Sequence, residues 1–203
     1  MGVWPITDVP FLRVTQLEEL RNRWEQQGLG IVDALRPGLT DAEMDELTRP
    51  LGFTLPREAR VWWGWHDGAQ PDDQDRIEML GPGRQFLSLR DSVEHSRMYR
   101  DTLWAGAERD NSLNWQLTWL PISANVTPTV IECGGPFDAP VRCRTYELEQ
   151  PDMGMVGVKS LGTLVAMYIA AYDSGGWKFD AVLKRWRVDP QKLELPREQY
   201  NLL

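Results

Sequence analysis

Residues 38–68 read GLTDAEMDELTRPLGFTLPREARVWWGWHDG, and this stretch decides the fold that the sequence predicts. Thr40 and Glu43 have the spacing of a capping box, in which two side chains accept hydrogen bonds from the free N–H groups at a helix start. The apolar residues that follow recur at helical spacing, at Met44, Leu47 and Leu51. Pro50 and Gly52 should end this helix, because proline lacks an N–H group and glycine tolerates a positive φ.

A second helix is predicted to follow directly and to end at Asp67-Gly68. Pro56 suits its first turn, where a backbone N–H would have no helical partner. One side of this helix carries Ala59, Trp62, Trp63 and His66. Trp65 lies off this side, so we expect Trp65 to reach the surface, where a partly exposed aromatic side chain can anchor a protein partner.

The order of these motifs resembles the SUKH superfamily, the Smi/Knr-like proteins. The matching residues are 51–56 (LGFTLP) and 66–69 (HDGA), while residues 119–122 (WLPI) resemble the family's central strand and residues 160–177 its last core helix. The resemblance covers most of residues 17–177. It implies an α+β fold and a binding role, since bacterial members include immunity proteins of polymorphic toxin systems and fungal members regulate glucan synthesis.

Beyond these segments, the sequence predicts helices first, then neighbouring strands, then a helix, an order typical of an α+β fold. We expect a single domain at residues 15–188, an arm at 1–14 and a tail at 189–203, with an antiparallel-rich mixed sheet packed with about five helices. Short strands are predicted at residues 31–35, 77–80, 86–89, 115–123, 129–133 and 141–148. The clearest amphipathic helix comes last, and its predicted core residues are Leu161, Leu164, Val165, Tyr168 and Ile169.

Charge is unevenly distributed along the chain. Its 203 residues include 22 Lys+Arg and 30 Asp+Glu, a net charge of −8, and residues 1–80 alone carry −7. An acidic first part disfavours a duplex nucleic-acid surface, which needs clustered positive charge. It suits a basic protein partner, although plain solubility explains the charge equally well.

Four carboxylates follow the second helix, at Asp72, Asp73, Asp75 and Glu78. We predict that these residues and Trp65 form a partner-binding site, because charge speeds encounter with a basic protein and a buried aromatic side chain holds the complex. A nuclease-type toxin would be such a partner. An ordinary acidic loop beside a core tryptophan is the alternative. A calcium site is disfavoured, because the bidentate glutamate spacing of a calcium loop is missing.

The sequence contains no motif that indicates catalysis. His66 and His95 are its two histidines, and we expect His66 to be structural and His95 to be solvated. Cys133 and Cys143 lack the spacing of a zinc site. They could face each other across a hairpin, but we expect two reduced thiols. We therefore predict a chain without enzymatic activity, cofactor or metal, and rank a hydrolase or metal enzyme last.

Two functions implied by the resemblance stand as hypotheses. The first is an immunity protein that covers the active site of a bacterial toxin, and the second is a regulatory scaffold of the fungal cell-wall-synthesis type. A toxin gene beside this gene would favour the first. The sequence shows neither a signal-peptide pattern nor an apolar run long enough to span a bilayer, so we expect a cytoplasmic protein that binds neither membranes nor nucleic acid.

Overall fold

The structure, a computed structural model, describes residues 9–70, 79–104, 115–116, 118–124, 127–146 and 157–193. Helices and small antiparallel sheets alternate along it, so the predicted α+β class is confirmed. The α-helices are α1 (Val14–Gln26), α2 (Ile31–Ala34), α3 (Asp41–Thr48), α4 (Arg57–Trp65), α5 (Leu89–Trp104), α6 (Leu161–Asp173) and α7 (Pro190–Leu193). A 3₁₀ turn, Arg49–Leu51, follows α3.

Every described strand pairs with an antiparallel neighbour. The strands are β1 (Leu35–Pro37), β2 (His66–Ala69), β3 (Met79–Gly81), β4 (Arg84–Gln85), β5 (Trp119–Ser123), β6 (Thr129–Glu132), β7 (Cys143–Thr145), β8 (Gly157–Val158), β9 (Trp177–Asp180) and β10 (Arg185–Val188). Strands β5 to β8 form one sheet in sequence order, while β1 pairs with β2, β3 with β4, and β9 with β10. The antiparallel character expected from the sequence is therefore distributed over four small sheets.

The stretch that decides the fold begins as its motifs indicate. The Thr40 hydroxyl accepts the Glu43 N–H at 3.3 Å, and the Glu43 carboxylate accepts the Thr40 N–H at 2.8 Å, so the capping box is confirmed. Gly52 has a left-handed backbone (φ 75°) after the 3₁₀ turn. Gly38 lies against the Gly64 carbonyl, where an added Cβ atom would come within 1.9 Å of the oxygen. Glycine therefore allows the chain before α3 to pack directly on α4.

Three local predictions are wrong. Residues 86–89, predicted as a strand, follow β4 (Arg84–Gln85), and Leu89 already begins α5. Residues 31–35, predicted as a strand, form α2 and the first residue of β1. The Asp33 N–H donates to the Gly30 carbonyl at 3.1 Å, so a helical turn satisfies this backbone. Helix α4 ends before its predicted stop, because His66 adopts an extended backbone (φ −149°) and pairs with Pro37 in the β1–β2 sheet.

The main core joins α1, α4 and α6 to apolar residues of strands β5, β6 and β7. Four of the predicted core residues of α6 are fully buried: Leu161, Leu164, Val165 and Tyr168. Ile169 is half-buried and packs against the same core. Because each fully buried leucine contributes about 2 kcal/mol, this face makes α6 a major source of stability.

Two further regions extend the packing. A smaller buried cluster consists of Tyr99, Trp115, Trp119, Val130 and Tyr146. At the other end of the chain, Leu193 of α7 is buried, and its side chain fills the space in which a Cβ atom on Gly176 would lie. The first residues of the predicted tail therefore pack on the domain.

Candidate functional site

Trp65, the predicted anchor, is half-buried at the end of α4. Its indole N–H donates to the Glu18 carboxylate at 2.6 Å. Its ring lies 6.0 Å from Trp24, 6.4 Å from Phe86 and 4.5 Å from His66, measured between ring centroids. These contacts hold the side chain in one orientation while part of the ring stays accessible.

Glu18 connects Trp65 to a charged row on α1. Half of its side chain is exposed, at 46%. The Arg21 guanidinium lies 3.8 Å from Glu18 and 3.2 Å from Glu25, one helical turn away on either side. The edge of α1 next to Trp65 is therefore polar and mixed in charge, with two carboxylates and one cation.

The four predicted acidic site residues, Asp72, Asp73, Asp75 and Glu78, lie outside the described residues. Described residues on both sides of them are anchored to the core. The Gln70 N–H donates to the Ala34 carbonyl at 2.8 Å. The Leu80 carbonyl accepts the indole N–H of Trp24 at 3.2 Å and the hydroxyl of Tyr172 at 2.6 Å. Trp24 contacts both Leu80 and Trp65, so β3, the first described element after the acidic residues, lies close to the predicted anchor.

Arginines balance much of the negative charge elsewhere in this part of the chain. Six of them pair with carboxylates: Arg21 with Glu18 and Glu25, Arg23 with Asp173, Arg36 with Asp91, Arg49 with Glu46, Arg57 with Asp138, and Arg60 with Asp41 and Asp45. Exposed pairs of this kind contribute little to stability. Residues 9–70 sum to a net charge of −3, and residues 71–78 alone add another −3. The excess negative charge is therefore densest in the segment that follows β2.

The His-Asp-Gly motif has a structural role in β2. The Asp67 carboxylate accepts the N–H of Leu89 at 2.7 Å and thereby caps the start of α5. Gly68 has a positive φ of 73°, and a Cβ atom there would lie 2.5 Å from the Ser88 nitrogen. Burial raises the pKa of Asp67, and the hydrogen bond from Leu89 moderates this rise. The motif therefore fixes β2 against the start of α5.

Both histidines bind backbone carbonyl oxygens. His66 Nδ1 lies 2.7 Å from the Arg36 oxygen, which joins β2 to β1. His95 Nδ1 lies 2.8 Å from the Asp91 oxygen one turn earlier in α5, and its ring is 5.8 Å from Tyr99. Each histidine therefore makes a contact with a backbone carbonyl, as a structural side chain does, and for His66 this agrees with the structural role predicted from the sequence.

Glu58 is a buried charged residue that the sequence patterns did not single out. It is 1% exposed, and its carboxylate accepts the N–H groups of Leu12 at 2.6 Å, Gly162 at 3.1 Å and Val141. Burial raises the pKa of this carboxyl, and hydrogen bonds from backbone N–H groups, including that of Leu161, moderate the rise. A sequence signal existed, because Glu58 lies four residues before Trp62 and so shares the buried face of α4. The donors come from other segments, so the contacts indicate a structural role.

Both cysteines are free thiols, which confirms that prediction. Cys133 and Cys143 are buried, and burial raises the pKa of each thiol. Within the described residues, no group of three His, Cys, Asp or Glu side chains is arranged to hold a metal ion.

The helices that the structure describes include none with the length and apolar character needed to cross a membrane. No family model matches the sequence, and no curated protein matches it either. The resemblance to the SUKH superfamily therefore stays a prediction carried by the motifs quoted above.

Proposed function

We propose that the chain is a non-catalytic protein-binding module of the SUKH type that binds a basic protein. The site comprises Trp65 and the acidic residues Asp72, Asp73, Asp75 and Glu78. One observation carries the proposal: Trp65 is held half-buried by its 2.6 Å hydrogen bond to Glu18, just before the segment with the densest negative charge.

The fixed orientation of Trp65 favours binding. A side chain already held by packing and a hydrogen bond loses little conformational freedom when a partner covers it. Tryptophan is also enriched among the residues that dominate binding energy, because it combines a large apolar ring with one N–H donor. Trp65 can therefore supply much of the affinity with little reorganisation.

The acidic segment has a different role in this proposal. Opposite charges mainly accelerate encounter and orient the partner, while the desolvated aromatic contact slows dissociation. A basic protein fits this arrangement, and nuclease-type toxins are basic because they bind nucleic acid. The function that follows is immunity, in which the module covers a toxin and blocks its access to substrate.

Binding kinetics against the purified product of a neighbouring gene test the proposal. Asp72, Asp73 and Asp75 are changed together to asparagine, and association is measured at about 20 mM and about 300 mM salt, where screening lengths differ several-fold. We expect slower association at low salt and a weaker salt dependence than in the parent chain. A control variant changes Glu94 to glutamine and Asp101 and Asp138 to asparagine, which removes the same charge elsewhere.

The outcomes separate the possibilities. Equal effects of the two variants would mean that total charge acts rather than a site. Association of the Asp72, Asp73 and Asp75 variant at the parental rate in low salt would mean that this segment is only a solvated surface. Failure of every neighbouring gene product to bind would contradict immunity and favour the regulatory scaffold.

A further inference from the structure

The hairpin formed by β9 and β10 carries an apolar tip in water. Val182 is 91% exposed and Leu183 is 54% exposed, and both lie in the turn between the strands. We infer that this hairpin is a docking surface for a second protein, one whose surface has an apolar pocket surrounded by carboxylates. This inference is independent of the proposed function, since the two surfaces require partners of opposite charge.

Hydrogen bonds of Asp180 fix the backbone of the turn that carries Val182 and Leu183. The Asp180 carboxylate accepts the N–H of Leu183 at 3.0 Å and also binds Arg187 at 2.6 Å. Lys184 has a positive φ of 47°, an unusual backbone conformation for a residue other than glycine. Lys184 holds this conformation at a position where Gly, Asn or Asp is usual. Val182 and Leu183, just before it, are aliphatic, whereas turn residues are usually polar, so the turn geometry does not account for the apolar tip.

Aromatic packing makes the base of the hairpin rigid. Trp186 faces Phe179 across the strands at 5.4 Å, and Trp177 lies 6.4 Å from Trp186 between ring centroids. The Phe179 N–H donates to the Gln27 side chain at 3.2 Å and so ties β9 to the end of α1. Trp177 also occupies the space beside Gly81 of β3. The tip is therefore presented by a fixed support, and docking requires little ordering.

Positive charge surrounds the tip. Four cations are exposed on the hairpin, against the single carboxylate of Asp180: Lys178, Lys184, Arg185 and Arg187. This sign is opposite to that of the whole chain, whose net charge is −8. A local basic patch with an apolar centre is complementary to an acidic patch with an apolar depression.

The net charge of the chain decides which kind of acidic surface is favoured. Nucleic acid and anionic lipid surfaces are extended and uniformly negative, so they also repel the acidic parts of this chain. A protein, in contrast, can carry carboxylates only at the site that the hairpin contacts, and it can bury Val182 and Leu183 in an apolar pocket. The observations therefore favour an acidic protein partner.

A photocrosslinking experiment identifies the partner, and binding measurements then test it. The probe is p-benzoylphenylalanine at position 182 of the full chain in its native cells, with the same probe at Met98, an exposed residue of α5, as the control. Proteins crosslinked from position 182 but not from position 98 are identified by mass spectrometry and purified. Their affinity for the unmodified chain is measured together with their isoelectric point.

Two double variants test the contribution of the tip and of its cations. One variant combines Val182→Ser with Leu183→Ser, and the other combines Lys184→Glu with Arg185→Glu. Each should weaken binding about tenfold or more, which is the effect expected when a residue that contributes to the affinity is lost. Charge reversal should also reduce the salt dependence. The matched controls are Met98→Ser and Arg49→Glu with Arg142→Glu, which should leave binding unchanged. Thermal unfolding of each variant confirms that it is folded.

The inference is overturned by any of four results. These are no crosslink above the control, a crosslink to a second copy of the chain, a crosslink only to nucleic acid or lipid, and purified partners whose affinity is the same for the hairpin variants. It is supported only when an acidic purified partner loses affinity for both hairpin variants and keeps it for both controls.

Discussion

The carboxylate of Glu58 in α4 accepts the backbone N–H of Gly162 at 3.1 Å, although the two residues are 104 positions apart in the chain. The same side chain also accepts the N–H of Leu12 at 2.6 Å and that of Val141. One buried acid therefore joins the arm before α1, the segment before β7 and the first turn of α6. These backbone donors offset part of the cost of burying the carboxyl group of Glu58, although burial has the larger effect on its pKa.

Replacing Glu58 should reveal how much this junction contributes. Glu58→Ala leaves three buried N–H groups without their acceptor, and each such group costs about 1–3 kcal/mol, so we expect a loss of roughly 3 kcal/mol or more. Glu58→Gln should lose about 1–3 kcal/mol, because its amide N–H₂ faces a backbone donor. Urea unfolding measures both, with the exposed Glu94→Gln as the control. If Glu58→Ala and Glu94→Gln changed the unfolding free energy equally, the structural role assigned to Glu58 would be wrong.

The stability contributed by Glu58 should depend on pH. Burial raises its pKa above the ordinary value of 4.5, so the folded state favours the protonated acid relative to the unfolded chain. Its contribution is therefore fully present below about pH 4.5 and is lost as the pH rises through the folded-state pKa. The difference in unfolding free energy between the parent chain and Glu58→Gln should shrink over this rise. Comparing the two proteins cancels other titrating groups, such as Asp67, and a difference that grows with pH would contradict the prediction.

Gly68 of the His-Asp-Gly motif should not tolerate a side chain. Its φ of 73° disfavours other residues, and an added Cβ atom would meet the Ser88 nitrogen at 2.5 Å. The backbone conformation alone costs about 1–2 kcal/mol for alanine, and the steric overlap adds to this. Gly135 is the matched control, because no atom lies within 4 Å of a Cβ atom built there. Thermal unfolding should separate Gly68→Ala clearly from Gly135→Ala, and equal midpoints would contradict this explanation of the motif.

Local sequence signals predicted the elements whose stabilising contacts are also local. The Thr40–Glu43 capping box and the apolar face of α6 depend on spacings of three and four residues, so periodicity was sufficient. The end of α4 depends instead on pairing between β2 and β1, about thirty residues earlier, and spacing within the helix carries no information about that pairing.

The candidate site was predicted in the same uneven way. The position of Trp65 off the main helical stripe correctly indicated that it is less buried than Trp62 and Trp63. Its hydrogen bond to Glu18 could not be predicted, because the donor and acceptor come from different helices. Buried Arg84, which donates to the Thr129 hydroxyl at 2.9 Å, was hidden for the same reason. Long-range polar contacts have no periodic signature in a single sequence.

Leu164 tests the core of α6. Its side chain is fully buried, so Leu164→Ala should destabilise the chain by about 2–5 kcal/mol through lost burial and the cavity left behind. Ile169→Ala, in the same helix but at a half-buried position, is the control and should cost less. Urea unfolding with an unchanged dependence on denaturant concentration gives both values. A smaller loss at Leu164 than at Ile169 would contradict the assigned core face.

The last prediction separates the binding role of Trp65 from its packing role. Trp65→Ala removes the proposed anchor and should speed dissociation of the partner by about tenfold or more, the effect of losing a hot-spot residue of roughly 2 kcal/mol. Glu18→Gln keeps an acceptor for the indole N–H but removes the charge, so it should leave dissociation nearly unchanged and slow association slightly.

The matched variant Trp65→Phe retains an aromatic ring against Trp24 and Phe86 while losing the N–H donor. We expect it to dissociate at a rate between those of the parent chain and Trp65→Ala. Dissociation is measured by surface plasmon resonance, and thermal unfolding of each variant is measured in parallel, because Trp65 also packs on the core. If Trp65→Ala lowers the unfolding temperature but dissociates at the parental rate, Trp65 is a packing residue alone, and the partner must contact a different face.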